Sequence, residues 1–204
     1  MNKPFIVVLG LSNSGKDTFK EVALANGYDH SFKWVGNVKA AVEMLYDLPA
    51  GALEHDHYRE MLVPQQDYTF LELLVKLFVE NVELRPLALT MFKDAAKVKL
   101  RRLLYTGEGV ISTDTRQPEE IDYINELALS YPVAVVRIRG RGVERDSDKY
   151  LDANWARVSN AASFWVINNN KDVDTFRHTC AIMVSNIESY HAQENNTTLR
   201  STDL

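Results

Sequence analysis

Gly10, Gly15 and Lys16 stand at the spacing G-x-x-x-x-G-K, directly after the apolar run FIVVL at residues 5–9. Two glycines and a lysine so placed can cradle a chain of phosphates. Backbone N–H groups across Ser12, Asn13 and Ser14 curl around phosphate oxygens, and a side chain at either glycine would obstruct the turn or the approach. A helix starting after Lys16 points its positive end at the same anion. The Lys16 ammonium is a compact charge on a flexible stem, able to follow a phosphoryl group as it moves.

The residue after the lysine is Asp17, where such loops usually have Ser or Thr, and Thr18 follows. A carboxylate beside polyphosphate is repelled unless a divalent cation lies between them. Asp17 therefore either helps to hold a metal ion or points away, while Thr18 keeps a hydroxyl for a phosphate. A second polar group follows the apolar strand Val110 to Ser112. There Asp114 can hold magnesium through water or orient an attacking oxygen, and Arg116 can clamp an anion with its planar fork. The bland alternative has Asp114 capping a turn and Arg116 paired with Glu119 or Glu120.

Arg137, Arg139, Arg141 and Arg145, with Gly140 and Gly142 between them, form a third group. They either close over phosphates as a flexible lid or are a solvated charged loop. Lys39, one turn into a helix, is a candidate for an acceptor anion or a plain surface lysine. His55-Asp56-His57 has no third ligand in view and is expected to be solvated. Cys180 is expected to be a buried small residue, and Trp34, Trp155 and Trp165 core or pocket walls.

The elements that position these groups alternate. An apolar strand precedes the loop, a helix runs from Thr18 to Ala25, and Gly27 ends it. Residues 30–35 read as a second strand or extended entry, and Asn37 caps a helix to Tyr46. The stretch 47–67 reads as an irregular, mobile excursion. Tyr68 to Val82 is an amphipathic helix with Phe70, Leu73, Leu74, Leu77 and Phe78 inward, suited to a core or to a homodimer. Pro86 opens another helix, to about Tyr105. Pro118, Glu119 and Glu120 start one that ends near Ser130. Val133 to Ile138 and Phe164 to Ile167 are strands, 154–162 is ambiguous, and 172–190 is the closing helix. Strands alternating with helices imply a parallel sheet whose ligands gather at the strand C-terminal ends. All three polar groups fall there.

Composition narrows the class. The chain has 204 residues, 46% hydrophobic, enough for one sizeable core. A net charge of −5 argues against a general nucleic-acid binder. One cysteine excludes an intramolecular disulfide framework. No apolar run is long enough to span a bilayer, so a soluble, cytoplasmic protein is expected.

SGKDT at 14–18, FKWVGNVKAAV at 32–42, DTRQPEE at 114–120 and VINNN at 166–170 together resemble the deoxynucleoside monophosphate kinases of tailed bacteriophages, over roughly Lys3 to Phe176. The resemblance implies a P-loop NTPase fold, three layers α/β/α around a five-stranded parallel sheet. It implies one domain over 1–190, with a helical monophosphate-binding region over about 37–105, an arginine lid over about 137–150 and a polar, frayed tail at 191–204. It further implies magnesium-dependent transfer of the ATP γ-phosphoryl to a (deoxy)nucleoside 5′-monophosphate, in viral nucleotide supply in the host cytoplasm. Position by position, Lys16 matches the loop lysine, Lys39 the acceptor-side lysine, and Asp114 and Arg116 the acid and the clamp. ATP falls to Gly10 and Ser12 through Thr18, magnesium to Asp17 and Asp114. The transferred group falls to Arg137, Arg139 and Arg141, and Arg85 substitutes for an arginine absent from 70–76. Between lid and last strand the family usually has a His and a Ser/Thr-Glu pair; LDANWARVSNAAS at 151–163 has neither.

Overall fold

The unbroken apolar run Phe5–Leu9 forms strand β1 at the middle of the sheet in the computed structural model, and all of its side chains are buried. Such a strand must be covered on both faces. β2 (His30–Phe32), β3 (Val110–Ser112), β4 (Val133–Gly140) and β5 (Ser163–Asn169) complete a five-stranded sheet of order β2-β3-β1-β4-β5. Every pairing is parallel. The helices are α1 (Lys16–Ala25), α2 (Gly36–Leu45), α3 (Asp56–Arg59) and α4 (Phe70–Val75), then α5 (Arg85–Tyr105), α6 (Pro118–Ala128), α7 (Leu151–Arg157) and α8 (Val173–Ser201). The structure describes the backbone of residues 3–75, 85–144, 150–159 and 161–201, and side chains over 3–74, 93–144, 150–159 and 161–193. It divides into two compact units, Met1–Lys33 with Arg102–Leu204, and Trp34–Arg101.

In the first unit the fold is α/β with three layers. Ile6 and Val8 cluster with Phe19 and Val22 of α1 and with Phe176, Cys180, Val184 and Ile187 of α8, the last four on one helical stripe. Alternation along β1 sends Phe5, Val7 and Leu9 to the opposite face. There α6 packs on β4 and buries Ile121, Ile124 and Leu127. Parallel pairing brings the ends of β1, β3, β4 and β5 to one edge of the sheet.

The second unit has its own core, in which Val38, Val42, Leu53, Val63, Phe70 and Leu74 cluster. Phe70 and Leu74 are thus spent on this core. Glu43 is buried, its carboxylate accepting hydrogen bonds from the Gly51 and Leu53 amides at 2.9 and 2.8 Å. Residues 47–67, expected to be irregular, contain a 3-10 turn at Ala52–Glu54 as well as α3. Asp56 pairs with Arg59 at 2.6 Å, and no His/Cys/Asp/Glu group suited to a metal occurs among the described residues.

Several boundaries depart from expectation. α2 starts at Gly36, with Val35 at its cap and no side-chain cap, so Asn37 lies inside the first turn. α4 starts at Phe70 because Thr69 and Glu72 form a reciprocal cap, Thr69 N donating to Glu72 Oε2 at 2.7 Å and Glu72 N to Thr69 Oγ1 at 3.2 Å. The rest of that expected helix, with Leu77 and Phe78, lies outside the described residues. The ambiguous stretch contains α7. The expected tail belongs to α8, which continues to Ser201, and His191 is buried with Nε2 2.9 Å from Ser163 Oγ. No helix among the described residues is long and apolar enough to cross a membrane.

Two buried groups give this unit an alkaline limit. Burial pushes the Cys180 thiol up to about 12. Burial, with the Glu188 charge second, pushes the Tyr28 phenol far above its usual range. In an unfolded chain they ionise near about 8.5 and about 10. The folded state therefore binds these protons more tightly, so their contribution is whole below about pH 8.5 and is lost as pH rises toward 12. Urea midpoints should be level between about pH 7 and about pH 8 and clearly lower near about pH 11. A smaller alkaline drop is expected in Cys180→Ala; an unchanged one there would remove the thiol from this account.

Candidate active site

The turn from Gly10 to Lys16 is shaped by close contacts that only glycine permits. Gly15 sits at φ +106°, and a Cβ there would lie 2.7 Å from the Phe176 ring and 2.8 Å from Asn169 Nδ2. A Cβ on Gly10 would meet Ser14 Oγ at 2.5 Å. Asn13 also has positive φ, 61°. Asn169, at the end of β5, donates from Nδ2 to the Ser14 carbonyl at 2.8 Å and so holds the turn from the neighbouring strand end. Gly15 is the N-cap of α1 and supplies no side-chain acceptor for the first helical N–H groups. Those groups face the turn, which suits an anion.

Lys16 curls back over the turn, its Nζ donating to the carbonyls of Gly10 and Leu11, each at 2.6 Å. Asp17 goes the other way. Its carboxylate is 2.7 Å from Lys20 Nζ, and its side chain is 80% exposed. Burial raises its pKa, but the Lys20 hydrogen bond and the charges of Lys20, Lys16 and Lys33 outweigh this and hold it below the usual carboxylate range. Of the two readings of Asp17, the structure selects the carboxylate that points away.

After β3 the chain turns sharply through residues 113–116. Ser112 Oγ donates to Asp114 Oδ1 at 3.1 Å. Glu120 fixes the end of this turn, its Oε2 accepting from the amides of Arg116 at 2.7 Å and Gln117 at 3.0 Å. Glu120 therefore holds the Arg116 backbone, a job that the expectation of a side-chain ion pair misses. Gly10, Lys16, Thr113, Thr115, Arg116, Leu151 and Asn154 line one cleft at this edge. Lys16 and Arg116, a hundred residues apart in sequence, are thus brought together.

The arginine group divides. Arg137 lies inside β4, paired with Asp152 and with its guanidinium 5.7 Å from the centre of the Trp155 ring. It tethers α7 and does not line the cleft. Arg139 and Arg141 are exposed, and Arg145 lies outside the described residues. Gly140 and Gly142 have positive φ, and a Cβ on Gly142 would lie 2.7 Å from Leu11 Cβ. Gly142 thus serves close approach to the turn after β1, where Val143 N donates to Ser12 O at 2.8 Å, and Gly140 serves close approach to Asn169 and Asn170 at the end of β5. In the second unit Lys39 pairs with Glu54 at 3.2 Å, and the Arg85 side chain lies outside the described residues.

No protein-family model matches the chain. No curated protein matches it either. Solved structures do. A gluconokinase from Sinorhizobium meliloti 1021 aligns at TM-score 0.47 and 13% identity, over 95% of this chain and 98% of that one. A dephospho-CoA kinase from Campylobacter jejuni aligns at TM-score 0.47 and 16% identity, over 94% and 100%.

The residues present fit a bound triphosphate. Ser14 is 1% exposed, its buried Oγ has no hydrogen-bond partner among the described residues, and a Cβ at Gly10 would press on that same oxygen at 2.5 Å. They fit magnesium only as an ion carried largely by phosphate oxygens and water, with Asp114, between the lining residues Thr113 and Thr115, as the carboxylate proposed for it. Sequence reading missed Asn154, and missed what Glu120 and Asn169 do. Only Glu120 left a signal, as the first-turn acid three residues after Gln117.

Proposed function

We propose that this chain is an ATP- and magnesium-dependent kinase that transfers the γ-phosphoryl group to a small anionic acceptor, a (deoxy)nucleoside 5′-monophosphate. The observation that carries the reading is the shared cleft of Lys16 and Arg116, beside a turn shaped for phosphates. The amides of the turn and of the first turn of α1 bind the donor phosphates. Lys16 exchanges its two carbonyl contacts for the transferring group and neutralises charge on it. Arg116, with its backbone fixed by Glu120, orients the acceptor anion. Magnesium, when bound, screens the charge between neighbouring phosphates. The arginine-lid role remains with Arg139 and Arg141.

Arg116→Ala should raise the acceptor KM by about 10- to 100-fold, the size of a lost charge-assisted hydrogen-bond pair, with the ATP KM nearly unchanged. Equal loss for both substrates would reassign the residue to the donor side. The reading itself is tested by offering ATP, magnesium and a panel of ribo- and deoxynucleoside monophosphates and following diphosphate formation. Product from any of them supports it. Tight ATP binding with silence across the panel defeats the acceptor assignment and favours a kinase of another small metabolite or a nucleotide-binding regulator.

A further inference from the structure

The cleft wall opposite the phosphate loop belongs to α7, and its position is closely set. Arg157 Nε donates to Asp122 Oδ1 at 2.6 Å, and Asn125 bonds both the Arg157 carbonyl at 2.9 Å and the Ser159 amide at 2.8 Å. Arg137 holds the same helix through Asp152 and Trp155. From this helix Asn154 reaches the cleft while only 1% exposed. Its Nδ2 donates to the Arg116 carbonyl at 2.8 Å, which assigns the amide orientation. The carboxamide oxygen on the other branch is buried and has no hydrogen-bond partner among the described residues. A buried acceptor without a donor is costly, and a donor brought by a ligand in the cleft would satisfy it.

Phosphate oxygens cannot supply it, being acceptors themselves. We propose that Asn154 is a ligand-contacting specificity residue whose Oδ1 takes an O–H donor held beside the anion bound by Lys16 and Arg116. This rests on the kinase reading above. The donor is a hydroxyl of the acceptor or a water of the magnesium ion that travels with the phosphates. Either way, Asn154 separates ligands that bring an O–H next to their phosphate from those that bring only oxygens. A site built around a substrate hydroxyl rejects the analogue lacking it.

The test compares Asn154→Leu, which removes the acceptor, with Asn154→Asp, which keeps one. Both lose the bond to the Arg116 carbonyl, so that structural contribution is common to them. Calorimetric titration gives two affinity ratios for each protein. One is ATP with magnesium over ATP with chelator. The other is nucleoside 5′-monophosphate over its 2′,3′-dideoxy counterpart. At least one ratio should fall about tenfold in the Leu variant, about one hydrogen bond's worth, and persist in the Asp variant. A fall in the first identifies metal-bound water, and a fall in the second a ligand hydroxyl. Ratios in the Leu variant equal to wild type overturn the proposal, as does an equal fall in the Asp variant. Should the Leu variant not fold, Asn154→Ala replaces it with the same outcomes. If the wild type binds none of these probes, the kinase reading falls as well; if it binds them and the ratios stay level, only this proposal falls.

Discussion

Lys16→Ala is expected to lower the rate of phosphoryl transfer by at least about two orders of magnitude, the usual result of removing one charge-stabilising donor from a transition state. The fold should survive. Lys16 Nζ donates to the carbonyls of Gly10 and Leu11, and both belong to the turn that it serves. Circular dichroism and the urea midpoint should therefore stay near wild type while activity falls. Lys16→Arg should not restore the rate, because a planar fork does not fit where a compact ammonium folds against two carbonyls. Activity within tenfold of wild type in Lys16→Ala would remove the donor-phosphate role from this turn.

Gly15→Ala should destabilise the fold strongly. Alanine at φ +106° is strained, and its Cβ would press on Phe176 and Asn169. Left-handed strain and overpacking together come to about 2–4 kcal/mol, or about 5–15 °C in Tm for a chain of this size. Phe176 belongs to the main core, so relief by moving its ring disturbs α8. Relief by moving Asn169 gives up its bond to the Ser14 carbonyl. Nucleotide affinity should fall along either route. Thermal denaturation and ATP titration on one preparation check both effects; a Tm within about 1 °C of wild type, far below the strain expected, would contradict the steric argument.

Much of the first unit was legible because burial on both faces leaves an unmistakable trace. FIVVL and VAVV cannot sit anywhere but inside a sheet, and the phosphate turn follows the first of them at a readable spacing. What a side chain does depends on partners far along the chain, and there legibility fails. Arg137 looked like a lid residue because its neighbours in sequence are arginines, yet Asp152 and Trp155 claim it. Asp17 could have been read more sharply, since Lys20 three residues on is its natural helical partner. Asn154 sat in a short stretch with too little apolar periodicity to mark a helix, and its value comes from Arg116, thirty-eight residues away.

The bridge between Val143 and Ser12 is made by main-chain atoms alone, and the Val143 side chain is 59% exposed. Selection at this position therefore sees an N–H and not a side chain. Almost any amino acid can drift in without cost to the turn after β1, and proline, which has no N–H to give, is the exception. Lineages of this chain should accordingly look careless at 143 while never admitting that one residue.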